Sequence, residues 1–157
     1  MSALSLGGPA FPISMPSVDM LILFEMISFG SCYSHNHMTR NIIAVVDDIF
    51  FASKIRGTAE QVGVAVAFAR SADGVSEIIQ QQAPSLIICD LHSQKINPIE
   101  LAKTLKAKEE TRNIPLLGFF SHVQTELQRE AQGAGFDRVI PRSVFASSLI
   151  TILSGNE

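Results

Sequence analysis

The sequence predicts an α/β protein: an open parallel sheet of five strands with helices on both faces, a (βα)5 chain. Three observations carry this. Short apolar runs alternate with longer stretches in which apolar residues recur at helical spacing. Two of the runs stop on acids, Ile42 to Val46 on Asp47 and Asp48, and Leu86 to Cys89 on Asp90. Cap and turn residues separate the two kinds of segment at βα intervals. Right-handed crossovers then leave very few topologies.

The strands are read at 41–46, 64–68, 86–89, 116–120 and 138–140. The first helix follows from Phe51, Ile55, Ala59 and Val62, the second from Val75, Ile78 and Ile79, the third from Ala102 and Leu105, and the fourth from Leu127 and Ala131. Asn97-Pro98-Ile99-Glu100 supplies an N-cap, a proline at the first helical position and a glutamate at the third, the capping-box arrangement. Gly63 and Gly135 follow helical stretches as C-terminal stops. A last helix is expected from about Val144 to Leu153, opening after Ser143. The charged segment Lys103 to Asn113 reads as a solvated helix end and loop.

The chain of 157 residues is long enough for one sizeable core. Its charge of −3 argues against direct nucleic-acid binding. Cys32 and Cys89 form no disulfide framework, so a reducing cytoplasm is the simplest setting. Residues 1–37 differ from the rest: they hold Asp19 and Glu25 but no Lys or Arg. Their apolar run Met20 to Phe29 is too short, and broken by Glu25, for a membrane span, and no basic segment marks a secretory signal. Two readings stay open, a packed or peripheral helix and an extension upstream of a start at Met38. The expected domain is therefore 38–157, with 1–37 as an extension.

Two strands that end on acids bring Asp47, Asp48 and Asp90 to the carboxyl edge of the sheet, where open α/β proteins bind ligands. Three converging carboxylates call for a cation, and oxygen donors suit Mg²⁺. The competing reading is that each Asp caps the helix or turn that follows it.

These residues resemble the receiver domain of two-component response regulators, over residues 41 to about 153. The resemblance rests on Asp47 and Asp48 after strand one, the run Ala83 to Leu91 with Asp90, and Ile114-Pro115 before strand four. Ala134-Gly135 after helix four and Arg142 after strand five complete it, and 42 residues separate Asp48 from Asp90. It implies a flavodoxin-like fold and a non-enzymatic signalling role. It also implies a phosphoryl acceptor at Asp90 and Mg²⁺ held by Asp47, Asp48, Asp90 and the backbone carbonyl of His92. A histidine kinase or phosphotransfer protein would be the donor. Because the chain stops at Glu157 with no output domain, its effect is expected to pass through protein contacts. The face of helix four, strand five and the last helix, Gln124 to Leu153, would carry a downstream partner or a second copy. Val139, Val144 and Phe145 would be its apolar part.

The departures are specific. In register with Arg142, the family's switch hydroxyl falls on Phe120 and its switch aromatic on Val139, and neither can perform the usual coupling. A slip of one residue offers Ser121 as the hydroxyl but turns the strand's side chains to opposite faces. Arg142 and Ser143 stand where the family has Lys and Pro, and a guanidinium does not reproduce the compact contact of an ammonium. A second function therefore stands beside the first: a pseudo-receiver that binds proteins and is not phosphorylated. An aspartyl phosphatase is disfavoured because Asp48 is followed by Ile49-Phe50 rather than by a second Asp two residues on. The first turn also lacks the glycines of a nucleotide binder. His92 and His122 flank the pocket and read either as water-positioning groups or as ordinary loop residues. His35 and His37 lack further ligands and are not read as a metal site.

Overall fold

The computed structural model describes residues 40–121 and 125–156. The strands are β1 (Asn41–Val45), β2 (Ala65–Phe68), β3 (Leu86–Asp90), β4 (Leu116–Phe120) and β5 (Arg138–Pro141). The helices are α1 (Ile49–Val62), α2 (Ala72–Gln81), α3 (Pro98–Ala107), α4 (Thr125–Ala134), α5 (Arg142–Ser147) and α6 (Leu149–Ser154). All neighbouring strands pair in parallel, in the order β2-β1-β3-β4-β5. The predicted architecture is the observed one, and no helix among the described residues is long and apolar enough to cross a membrane.

Strand side chains alternate between two cores, as the two-residue period requires. Ile43, Val45, Ile87, Cys89, Leu116 and Phe120 face α2, α3 and α4, which contribute Val75, Leu101, Leu105 and Ala131. Ile42, Ile88, Leu117 and Phe119 face α1, α5 and α6, which contribute Phe51, Ile55, Phe145, Ile152 and Leu153. Gly118 makes room on the first face, where a Cβ would lie 3.0 Å from Leu91 and 3.2 Å from Phe136.

Local signals place most boundaries. Asn97 Oδ1 accepts from the N–H groups of Ile99 and Glu100. The expected reciprocal half of the capping box is replaced, since the Glu100 carboxylate turns to Lys103 Nζ at 3.0 Å. Gly63, at φ 68°, ends α1 as predicted. Gly135, at φ 106°, adopts a conformation open to few other residues, and it leaves space for the Lys106 chain, since a Cβ there would lie 2.6 Å from Lys106 Cγ.

Three expectations need correction. The last helix is two: β5 runs into α5 at Arg142, and the backbone breaks at Ser148 (φ −101°, ψ 13°) before α6 begins. Phe145 and Leu149, on either side of the break, both lie in the core. The segment 103–113 is not wholly solvated. Thr111 is buried and donates to the Leu105 carbonyl at 2.6 Å, while Lys106 Nζ ties the carbonyls of Arg112 and Ile114 to Asp137. Finally, Val139 and Phe145 lie in the two cores, so of the three apolar residues expected on the partner face only Val144 is exposed, joined by Ile150.

Candidate functional site

The carboxyl edge of the sheet assembles Asp47 and Asp48 in the β1–α1 connection, Asp90 at the end of β3, Ser121 just beyond β4, and Arg142 at the start of α5. Each acid has a defined local task.

Asp48 is the N-cap of α1. Its Oδ1 accepts from the N–H groups of Phe50 (3.0 Å) and Phe51 (3.1 Å), satisfying donors that a helix start leaves unpaired. Its Oδ2 pairs with the Nη2 of Arg142, 94 residues away in sequence. The guanidinium, followed by the Phe51 N–H, holds the Asp48 carboxyl below the usual carboxylate range.

Asp47 anchors the loop after β3. Its Oδ2 accepts from the Ser93 hydroxyl at 2.9 Å and from the N–H groups of Gln94 at 2.8 Å and Lys95 at 3.2 Å. Burial pushes this carboxyl up, but the Gln94 and Lys95 N–H groups and the Ser93 hydroxyl together outweigh it and leave it below the usual range.

Asp90 is buried, 6% exposed, and its Oδ1 accepts from the His92 N–H at 3.0 Å. The His92 ring approaches the same oxygen, Nδ1 at 3.9 Å, and neither ring nitrogen has a hydrogen-bond partner among the described residues. Cys89, one residue earlier, is fully enclosed; burial, with Asp90 beside it, pushes its thiol up to about 12, so it is an inert core residue.

Arg142 does not hang free. Its Cζ lies 4.3 Å from the centre of the Phe51 ring, within cation–π range. Phe51 in turn leans on Phe119 (5.1 Å) and Phe145 (5.6 Å), and those two stack at 4.7 Å. The guanidinium is thus seated on an aromatic base with its N–H edge toward Asp48.

The remaining candidates separate from this arrangement. Phe120 is buried in the same core as Val139, so both switch positions are occupied by packing residues. Ser121 is exposed. His122 and Gln124, with His35 and His37, lie outside the described residues. Sequence reading missed Ser93, which nothing in its spacing marks as a partner of Asp47. It took Phe51 as a core residue only, although its position one turn from Asp48 also makes it a platform for a cation.

Magnesium takes oxygens in near-octahedral array at about 2.0–2.1 Å. Among the described residues no group of three or more His, Cys, Asp or Glu side chains is arranged to hold a metal ion. Both Asp48 oxygens are engaged, Asp47 Oδ2 has three donors, and the His92 carbonyl accepts from Gln94 Nε2 at 3.3 Å. As arranged, these residues do not fit the ion.

A doubly wound parallel sheet of order 2-1-3-4-5 with acids at its carboxyl edge is the flavodoxin-like class. Within that class, the profile of the response regulator receiver domain matches residues 42–154, and the chain belongs to that family. No curated protein sequence matches it. Solved structures similar to it include the phosphorylated cyanobacterial phytochrome response regulator RcpA, with TM-score 0.62 and 20% identity over 75% of this chain and 91% of that one. The chemotaxis response regulator CheY4 of Vibrio cholerae gives TM-score 0.65 and 18% identity over 74% and 98%. A response regulator from Hahella chejuensis gives 0.66 and 18% over 73% and 92%. At these identities the likeness is one of fold.

Proposed function

We propose that this receiver domain signals as a protein-contact module without phosphoryl transfer, a pseudo-receiver whose acidic edge is held in one state by its own residues. The observation that carries this reading is the Arg142–Asp48 pair, with the other Asp48 oxygen committed to capping α1. Phosphoryl transfer to a carboxylate flanked by carboxylates needs a cation that can gather the incoming oxygens. A guanidinium already paired and stacked is poorly placed for that. The buried Phe120 and Val139 support the same reading, since neither side chain can follow a hydrogen bond formed at the edge.

Its partner would be a protein. Ile49 and Phe50, 78% and 90% exposed, lie immediately after Asp48, and Val144 lies two residues after Arg142. Exposed apolar side chains at both ends of the Asp48–Arg142 pair favour a contact centred on that edge. Ile150, also exposed, supplies a further apolar point on α6.

A second reading is favoured by one observation: Asp90 ends the central strand β3, buried and with one oxygen oriented by the His92 N–H. In this reading a histidine kinase or phosphotransfer protein phosphorylates Asp90 in the presence of Mg²⁺, as the family resemblance implies.

The two are separated by intact-protein mass spectrometry after incubation with acetyl phosphate and MgCl₂, beside Asp90→Asn. The expected result is no adduct in either protein. A gain of one phosphoryl group in the parent, absent from Asp90→Asn, establishes the phosphoacceptor instead.

A further inference from the structure

We infer that Arg142 is the resident cation of the acidic edge, and that it excludes a divalent ion from it. The inference rests on the reading just given and names the residue that enforces it.

Four features of the chain point this way. Arg142 Nη2 engages the Asp48 oxygen that α1 capping leaves over, so each oxygen of that carboxylate already has a donor. Its guanidinium carbon lies 4.3 Å over the Phe51 ring, which leans on the buried Phe119 and Phe145. The positive charge is permanent, because a guanidinium does not lose its proton in a protein. Asp47, the other acid of the pair, is already saturated at Oδ2 by three donors from the loop after β3.

A divalent ion binding at Asp48 would compete with the Arg142 guanidinium and the α1 N–H groups for that carboxylate, and would sit beside a permanent positive charge. The choice of side chain matters. Arginine can stack on Phe51 and present its edge to Asp48 at once, whereas a lysine ammonium offers neither the plane nor the fork. Arg142 therefore acts as a specificity-determining residue: it sets which cation the three acids accept.

The test uses the full chain and MgCl₂ itself as the probe. Wild type, Arg142→Lys and Arg142→Ala are followed by titration calorimetry and by thermal unfolding in MgCl₂ up to about 10 mM, against NaCl of matched ionic strength. Wild type is expected to show no saturable heat and no shift in Tm. At least one variant is expected to gain saturable binding and a Tm rise of a few degrees, because Asp48 is released. Arg142→Lys keeps the charge and covers the case in which Arg142→Ala fails to fold. Saturable Mg²⁺ binding by wild type overturns the inference, as does the absence of a gain in every variant that folds.

Acetyl phosphate labelling of wild type in MgCl₂, with an EDTA control beside it, separates this inference from the functional reading. Labelling of Asp90 without Mg²⁺ binding refutes the pseudo-receiver and leaves Arg142 as the resident cation. Mg²⁺ binding without labelling does the reverse.

Discussion

Arg142 occupies a position that its own helix does not favour. It is the first residue of the six-residue α5, which has no side-chain cap, and a cation at a helix N-terminus opposes the peptide dipoles. Asp48 offsets this from across the edge while serving a second helix as its cap. Asp48→Asn isolates the charge, because Asn caps as well as Asp while losing the ion pair. We expect a loss of at most about 1 kcal/mol at neutral pH, as befits a partly exposed pair. The pH dependence has a definite sign. The folded carboxyl lies below its ordinary value of 3.8, so its contribution is fully present above that value and disappears as pH falls through the lowered one. Urea unfolding of both proteins from pH 7 to pH 3 should therefore show curves that converge on the acid side; a gap that stays constant would exclude the ion pair as its source.

At the scale of elements, the loop between β3 and α3 and the return from α4 to β5 are held by single side chains that reach far in sequence. Asp47 holds the first. Lys106 and Asp137 hold the second: Asp137 accepts from the Leu116 N–H at 2.8 Å and from Lys106 Nζ at 3.0 Å. Burial raises the Asp137 carboxyl, but the Leu116 N–H and Lys106 more than offset it and the net shift is downward. Gly135 admits the Lys106 chain to this place. Gly135→Ala strains a positive φ and displaces Lys106, and a destabilisation of about 1–2 kcal/mol is expected. Equilibrium denaturation measures it, and combination with Lys106→Met should give less than the sum of the two single losses, since both act on one contact.

Over the whole domain, two cores flank one sheet, while the exposed apolar residues Ile49, Phe50 and Val144 gather around the Asp48–Arg142 edge. A residue 90% exposed contributes little to folding, so Phe50→Ser should change the unfolding free energy by less than about 0.5 kcal/mol. A partner recovered with the parent protein and lost with Phe50→Ser, at unchanged Tm, would place the contact there. Retention of the partner by that variant would move it to the Ile150 side.

The sheet, its parallel pairing, the cap at Asn97, the stops at Gly63 and Gly135 and the arrival of three acids at one edge are legible from the residues alone. Those properties follow from periodicity two against 3.6, from turn chemistry and from crossover handedness, which are local or nearly so. Phe120, Val139 and Arg142, on which the proposed function turns, were equally in plain view. The partners of the acids emerge only on folding. Asp48 meets Arg142 across 94 residues and Asp47 meets Ser93 across 46, and a carboxylate's spacing in the chain carries no information about which donor arrives first. The split of the last helix at Ser148 has no local signal in the sequence, and the burial of Phe145 is a matter of packing, since its ring stacks on Phe119 of β4 and leans on Phe51 of α1.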